Sequence, residues 1–125
     1  MIWFAIALGG ALGAAARHGL NVAVHARYAV LFPLGIFVVN AAGCLAIGLL
    51  AGLLSSSRIH MSEVARAFVF VGVLGGFTTF SSFALDTLTL VRGGHVAAAM
   101  GNAIGQLVVG LVAVWVGYAL GAWRS

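Results

Sequence analysis

Polar positions are scarce along this chain, and they fall in bunches. Between the bunches run four apolar stretches, at about residues 2–20, 34–54, 64–91 and 96–123. A helix needs about 20 residues to cross about 30 Å of hydrocarbon, so each stretch predicts one span. The separators HARYAVLFP, SSSRIHMSE and RGGH are short. The pattern predicts an all-α membrane protein in which residues 1–125 form a single domain of four transmembrane helices.

The third stretch interrupts its own pattern with GGFTTFSSF, residues 75–83. Gly75 and Gly76 each lower helix propensity by about 1 kcal/mol, and the Thr78 and Thr79 hydroxyls can bond freed backbone groups. A helix broken near its middle is the expectation. Irregular backbone at membrane depth is tolerated where it is buried in protein or lines a cavity, and its carbonyls there become available to a cation. Beyond the break, Phe80 and Phe83 stand three apart and share a helix face, with Ser81 and Ser82 beside them. Such a pair can be ordinary helix packing. It can also turn the positive edges of its rings into a path that attracts an anion without trapping it.

Composition agrees with a membrane protein: 63% of residues are hydrophobic and 6% charged, and the mean hydropathy is +1.18. A soluble surface needs far more charge. The N-terminal stretch has no basic flank, so it is expected to remain as a span. The net charge of +4 comes from six arginines and no lysine against Glu63 and Asp86. With no basic run, membrane flanks rather than nucleic acid account for it. The lone Cys44 allows no intrachain disulfide and reads as a small packing residue. His18, His25, His60 and His95 fall near helix ends without shared ligand spacing, and read as interfacial.

Glycine recurs four apart at Gly9/Gly13, Gly48/Gly52, Gly72/Gly76, Gly101/Gly105 and Gly117/Gly121, which predicts close helix packing and an oligomeric bundle. With four spans, Arg58, Arg66 and Arg124 share one side of the membrane and Arg17, Arg27 and Arg92 the other. Equal numbers leave charge bias without a preferred orientation, which favours dual topology and an antiparallel homodimer.

Few polar residues lie within the spans. Asn40 in the second stretch and Asn102 and Gln106 in the fourth can cross-link helices, or can line a hydrophilic path if they align. Arg17, near the end of the first, can snorkel to the interface, or attract an anion if a path lies behind it.

The motif LGGFTTFSSF, with GGALGAAARH in the first stretch and PLGIFVVNAAG in the second, resembles the Fluc family of fluoride channels, also called CrcB proteins. The likeness covers the whole chain. It implies a multi-pass protein of the bacterial plasma membrane, the cell inner membrane, that exports fluoride passively and lowers cytoplasmic fluoride. It further implies an antiparallel dimer whose two pores draw residues from both subunits, with a heterodimer with a paralogue as the other pairing. Carbonyls of Gly75 and Thr78 from two chains are implied to hold a central structural Na⁺. Phe80 and Phe83 match the pore-lining aromatics, Asn40, Ser81, Ser82 and Thr79 the fluoride pathway, and Arg17 the vestibule. Departures are Ala84, where many relatives carry Ser, Asp86, where they carry Glu, and a fourth helix without a central serine or threonine. Asn102 and Gln106 are the polar groups available there.

An alternative is a small dual-topology, proton-coupled multidrug exporter. It would need a titratable carboxylate deep in a span, and neither Glu63 nor Asp86 is well placed. A non-transporting assembly protein would explain the glycines but not the break. An enzyme is not expected, since no nucleophile and base stand at helical spacing.

Overall fold

The computed structural model describes residues 1–123; Arg124, counted above, lies outside the described residues. The helical elements are α1 (Ile2–Arg27), α2 (Leu34–Ser55), α3 (Glu63–Arg66), a π-helical segment (Ala67–Leu74), α4 (Gly75–Phe77), α5 (Phe80–Arg92) and α6 (Val96–Gly121). The elements from Glu63 to Arg92 follow one another closely, so four long helical stretches make up the fold. There is no strand among the described residues.

Leu34–Ser55, Glu63–Arg92 and Val96–Gly121 are long and apolar enough to cross a membrane. Helix α1 has 26 residues, as α6 does, but it carries Arg17 and His18 in its interior. It runs beyond the end expected near residue 20, because NVAVHAR contains no breaker before the chain leaves helical geometry at Tyr28. Arg17 is therefore an interior helix residue rather than part of a last turn.

The turns are built by their residues. Ser62 caps α3 by accepting the Ala65 N–H at 3.1 Å. After α5, Gly94 adopts a φ of 83°, and the His95 N–H reaches back to the Leu90 carbonyl at 2.8 Å. This helix-ending geometry is easiest for a residue without a Cβ.

Glycines set how closely the helices approach. On α2, a Cβ at Gly48 would run into the Val114 carbonyl and one at Gly52 into the Tyr118 carbonyl; on α6, Gly117 and Gly121 meet the Leu45 and Leu49 carbonyls in the same way. Gly9 and Gly13 of α1 abut the π-helical segment, and Gly76 abuts the backbone of Gly10. Four of the five glycine pairs are thus spent on packing within one chain. At the fifth, Gly105 faces the Phe37 ring at 3.0 Å, and Gly101 meets only the edge of Phe32 at 4.0 Å.

The interior is small, and Val39 and Asn102 are its largest fully buried side chains. Large apolar residues such as Leu8, Leu12 and Trp115 face outward, as suits a bundle whose solvent is lipid. Trp3 and Trp123, near the two ends of the chain, are exposed, and tryptophan favours the membrane–water interface.

Candidate functional site

The site is built around the point where the third helical stretch changes backbone. Thr78 has φ −81° and ψ 156°, and Thr79 has φ −151° and ψ 124°, both extended. Just upstream, the π-helical segment closes with the Gly75 N–H directed to the Phe70 carbonyl, five residues back. Wider turns of this kind recur at functional sites.

Extended backbone at membrane depth needs partners, and Asn40 of α2 provides them. The Thr79 N–H, which a continuous helix would direct to the Gly75 carbonyl, donates to Asn40 Oδ1 at 2.9 Å. Asn40 Nδ2 donates back to the Thr79 carbonyl at 3.0 Å. The amide thus pairs with one residue as a neighbouring strand would. The threonine hydroxyls serve the two flanks: Thr78 Oγ1 donates to the Leu74 carbonyl at 2.9 Å, and Thr79 Oγ1 accepts the Ser82 N–H at 3.1 Å and so caps α5. Ser81 Oγ lies 3.3 Å from Thr79 Oγ1.

From Asn40 a line of polar side chains continues along α6. Asn40 Nδ2 also donates to Gln106 Oε1 at 2.7 Å, and Gln106 Nε2 donates to Asn102 Oδ1 at 2.9 Å. Asn102 Nδ2 donates to Thr87 Oγ1 at 2.9 Å, which donates to the Phe83 carbonyl at 2.9 Å. Asn102 is fully buried, and burial of an amide is tolerable because both ends of it are bonded.

Arg17 of α1 is half-buried, and its Nη1 donates to the Thr78 carbonyl over a long 3.5 Å. It therefore reaches the changed backbone from within the bundle instead of snorkelling away from it. Phe80 and Phe83 sit together, with ring centroids 5.5 Å apart and planes inclined by 59°. The spacing of three places them on one face, and Phe80 is 79% exposed.

These groups converge on one open cleft of about 460 Å³ between α2, α6 and the third stretch. Gly75, Thr78 and Thr79 contribute to its lining, Asn40 and Gln106 its amides, and Phe80 and Phe83 its rings. Ser81 and Ser82, expected along the path, and Arg17, expected at its vestibule, are not among the lining residues; Ser81 is exposed and Ser82 half-buried. Cys44 does line the cleft. The π-helical segment and the part played by Thr87 were not foreseen. Asn102 and Gln106, four apart on one helix face, carried a legible signal; Thr87 carried none, because hydroxyls are common in apolar helices.

The arrangement can present amide and hydroxyl hydrogens, and aromatic edges, to a small anion beside carbonyl oxygens suited to a hard cation. Comparison with known proteins places it in a family. The family model described as CrcB-like protein, Camphor Resistance (CrcB), matches residues 4–118. The fluoride-specific ion channel FluC of Paracoccus denitrificans is 50% identical over 116 residues, 93% of this chain and 90% of its own. The channel of the same name from Opitutus terrae is 48% identical over 118 residues, 94% and 89%. That of Thermus thermophilus is 47% identical over 116, 93% and 91%. With the family model matching nearly the whole length, and relatives about half identical that are named as ion channels rather than enzymes, this multi-pass membrane protein belongs to the CrcB family.

Proposed function

We propose that the chain is a fluoride-selective channel that lets fluoride leave the cytoplasm passively. The observation that carries this reading is the single cleft onto which Phe80, Phe83, Thr79 and the amides of Asn40 and Gln106 converge. Fluoride holds its water strongly, so a path must replace that water with hydrogen-bond donors while binding weakly enough to release the ion. Amide and hydroxyl hydrogens left unpaired in the cleft are the donors, and the edges of the two rings attract without trapping. The names of the relatives point to the same ion. An inside-negative membrane potential contributes about 2.3 kcal/mol per charge per 100 mV toward export.

The cleft is open and Phe80 is exposed along it. A second copy packed antiparallel would close it and place both chains along each pore. The change of backbone at Thr78 and Thr79 is, on this reading, a functional break between two half-helices. A structural sodium fits the residues present. The Gly75 carbonyl has lost its helical donor to Asn40, only the Phe70 carbonyl stands near where a Gly75 Cβ would be, at 3.6 Å, and oxygen ligands suit a hard cation. The Gly75 and Thr78 carbonyls of the two copies would hold it. When bound, the ion supplies a fixed positive charge at the centre of the dimer. Arg17 already donates to the Thr78 carbonyl, so only that oxygen's second lone pair remains for the metal.

The test is flux from liposomes loaded with potassium fluoride or potassium chloride, with valinomycin to carry the counter-ion. The expected outcome is rapid fluoride efflux and negligible chloride efflux. Equal chloride efflux, or no fluoride efflux from folded protein, would overturn the reading.

A further inference from the structure

Hydrogen-bond accounting along the cleft separates two amides that the sequence alone treats alike. The Thr79 backbone N–H can only donate, so the Asn40 atom 2.9 Å from it is the oxygen. Asn40 Nδ2 then has two hydrogens, and both are used: one on the Thr79 carbonyl at 3.0 Å and one on Gln106 Oε1 at 2.7 Å. Because Gln106 accepts there with its oxygen, its nitrogen is the atom facing Asn102. That contact uses one of its two hydrogens. Among the described residues the second has no partner, and Gln106 lines the cleft. The direction of the whole line is therefore fixed from a single backbone N–H.

We propose that Gln106 is the side chain whose amide N–H meets the permeating anion, and that Asn40 is a positioning residue with no donor to spare. The inference rests on the proposed conduction of fluoride through this cleft. Asn40 holds the extended backbone at Thr79 and turns Gln106 so that its nitrogen faces away from Asn40. Asn102, bonded to Thr87, holds that nitrogen from the far side. Of the nearby hydroxyls, Thr78 is engaged, and Thr79 and Ser81 share one contact that leaves a single hydroxyl hydrogen between them as the second donor. The Thr78 hydroxyl donates to Leu74, and the Thr79 hydroxyl oxygen accepts the Ser82 N–H and lies 3.3 Å from Ser81 Oγ.

The chain has a single glutamine, which makes the test direct. Protein labelled with ¹⁵N in the glutamine and asparagine side chains gives one pair of glutamine amide signals beside those of the three asparagines, and fluoride is titrated against it in micelles. One Gln106 Nε2 proton is expected to move downfield and saturate, with no response to chloride, while the Asn40 amide signals, assigned through Asn40→Asp, stay in place. In liposomes, Gln106→Met keeps the volume and removes the donor. It is expected to raise the half-saturating fluoride concentration by about 10-fold to 100-fold, the worth of a hydrogen bond to an ion. A silent glutamine signal in protein that conducts fluoride, or wild-type flux in Gln106→Met, overturns the assignment and leaves the channel reading intact. Absence of fluoride flux from the wild type removes the channel reading itself, and the assignment with it.

Discussion

At the scale of single residues, Phe80 and Phe83 were the most legible part of the site. Their spacing of three puts them on one helix face, and the rings sit 5.5 Å apart on the cleft. If their edges attract the anion, replacing either by an aliphatic residue of similar bulk removes an interaction of about 0.5–1.5 kcal/mol. Phe80→Ile and Phe83→Ile should each slow fluoride efflux about threefold to tenfold, with the elution volume of the purified assembly unchanged. Wild-type flux in both would remove the rings from the path. Asn40 was legible only as a polar residue inside a span. Its two bonds to Thr79 join residues 39 apart in sequence, and no spacing rule reaches that far. The same distance hid the contact of Arg17 with Thr78, 61 residues away. A helix-end arginine and an arginine turned into the bundle look the same in sequence.

At the scale of elements, the four apolar stretches gave four helical stretches because hydropathy over about 20 residues is a strong signal. The π-helical turn at Ala67–Leu74 was invisible, since AFVFVGVL is apolar on every face and no period can be read from it. Glycine spacing proved informative about which helices touch, but only the coordinates tell a packed glycine from a free one. The difference is testable. Gly48→Val would drive a side chain into the Val114 carbonyl across the α2–α6 contact. Overpacking of this kind costs about 1–3 kcal/mol, so the melting temperature in detergent should fall. Gly19 has nothing within 4 Å of a Cβ, and Gly19→Ala in mid-helix should raise stability by about 0.5–1 kcal/mol. If both variants melt like the wild type, the helices are not held by these close approaches.

At the scale of the whole molecule, orientation is an electrostatic question that the fold leaves open. On the four-span expectation, Arg58, Arg66 and Arg124 fall to one side, and Arg27 and Arg92 to the other with Arg17, which is turned into the bundle. Orientation follows the excess of basic residues facing the cytoplasm, and on that expectation the excess is one at most. A chain inserting both ways can supply the antiparallel copy needed to close the cleft beside Phe80. Removing arginines from one side should therefore abolish function without touching the site. The double variant Arg27→Gln/Arg92→Gln leaves one arginine against three, and a C-terminal reporter fusion should show it in a single orientation. Cells carrying it alone are expected to become sensitive to fluoride, because parallel copies cannot form the pore. The opposite variant, Arg58→Gln/Arg66→Gln, should be locked the other way and equally inactive. Expressed together, the two should restore fluoride resistance, since each supplies the orientation the other lacks. Resistance from either double variant alone, with its orientation shown to be uniform, would mean that the functional unit needs no antiparallel partner.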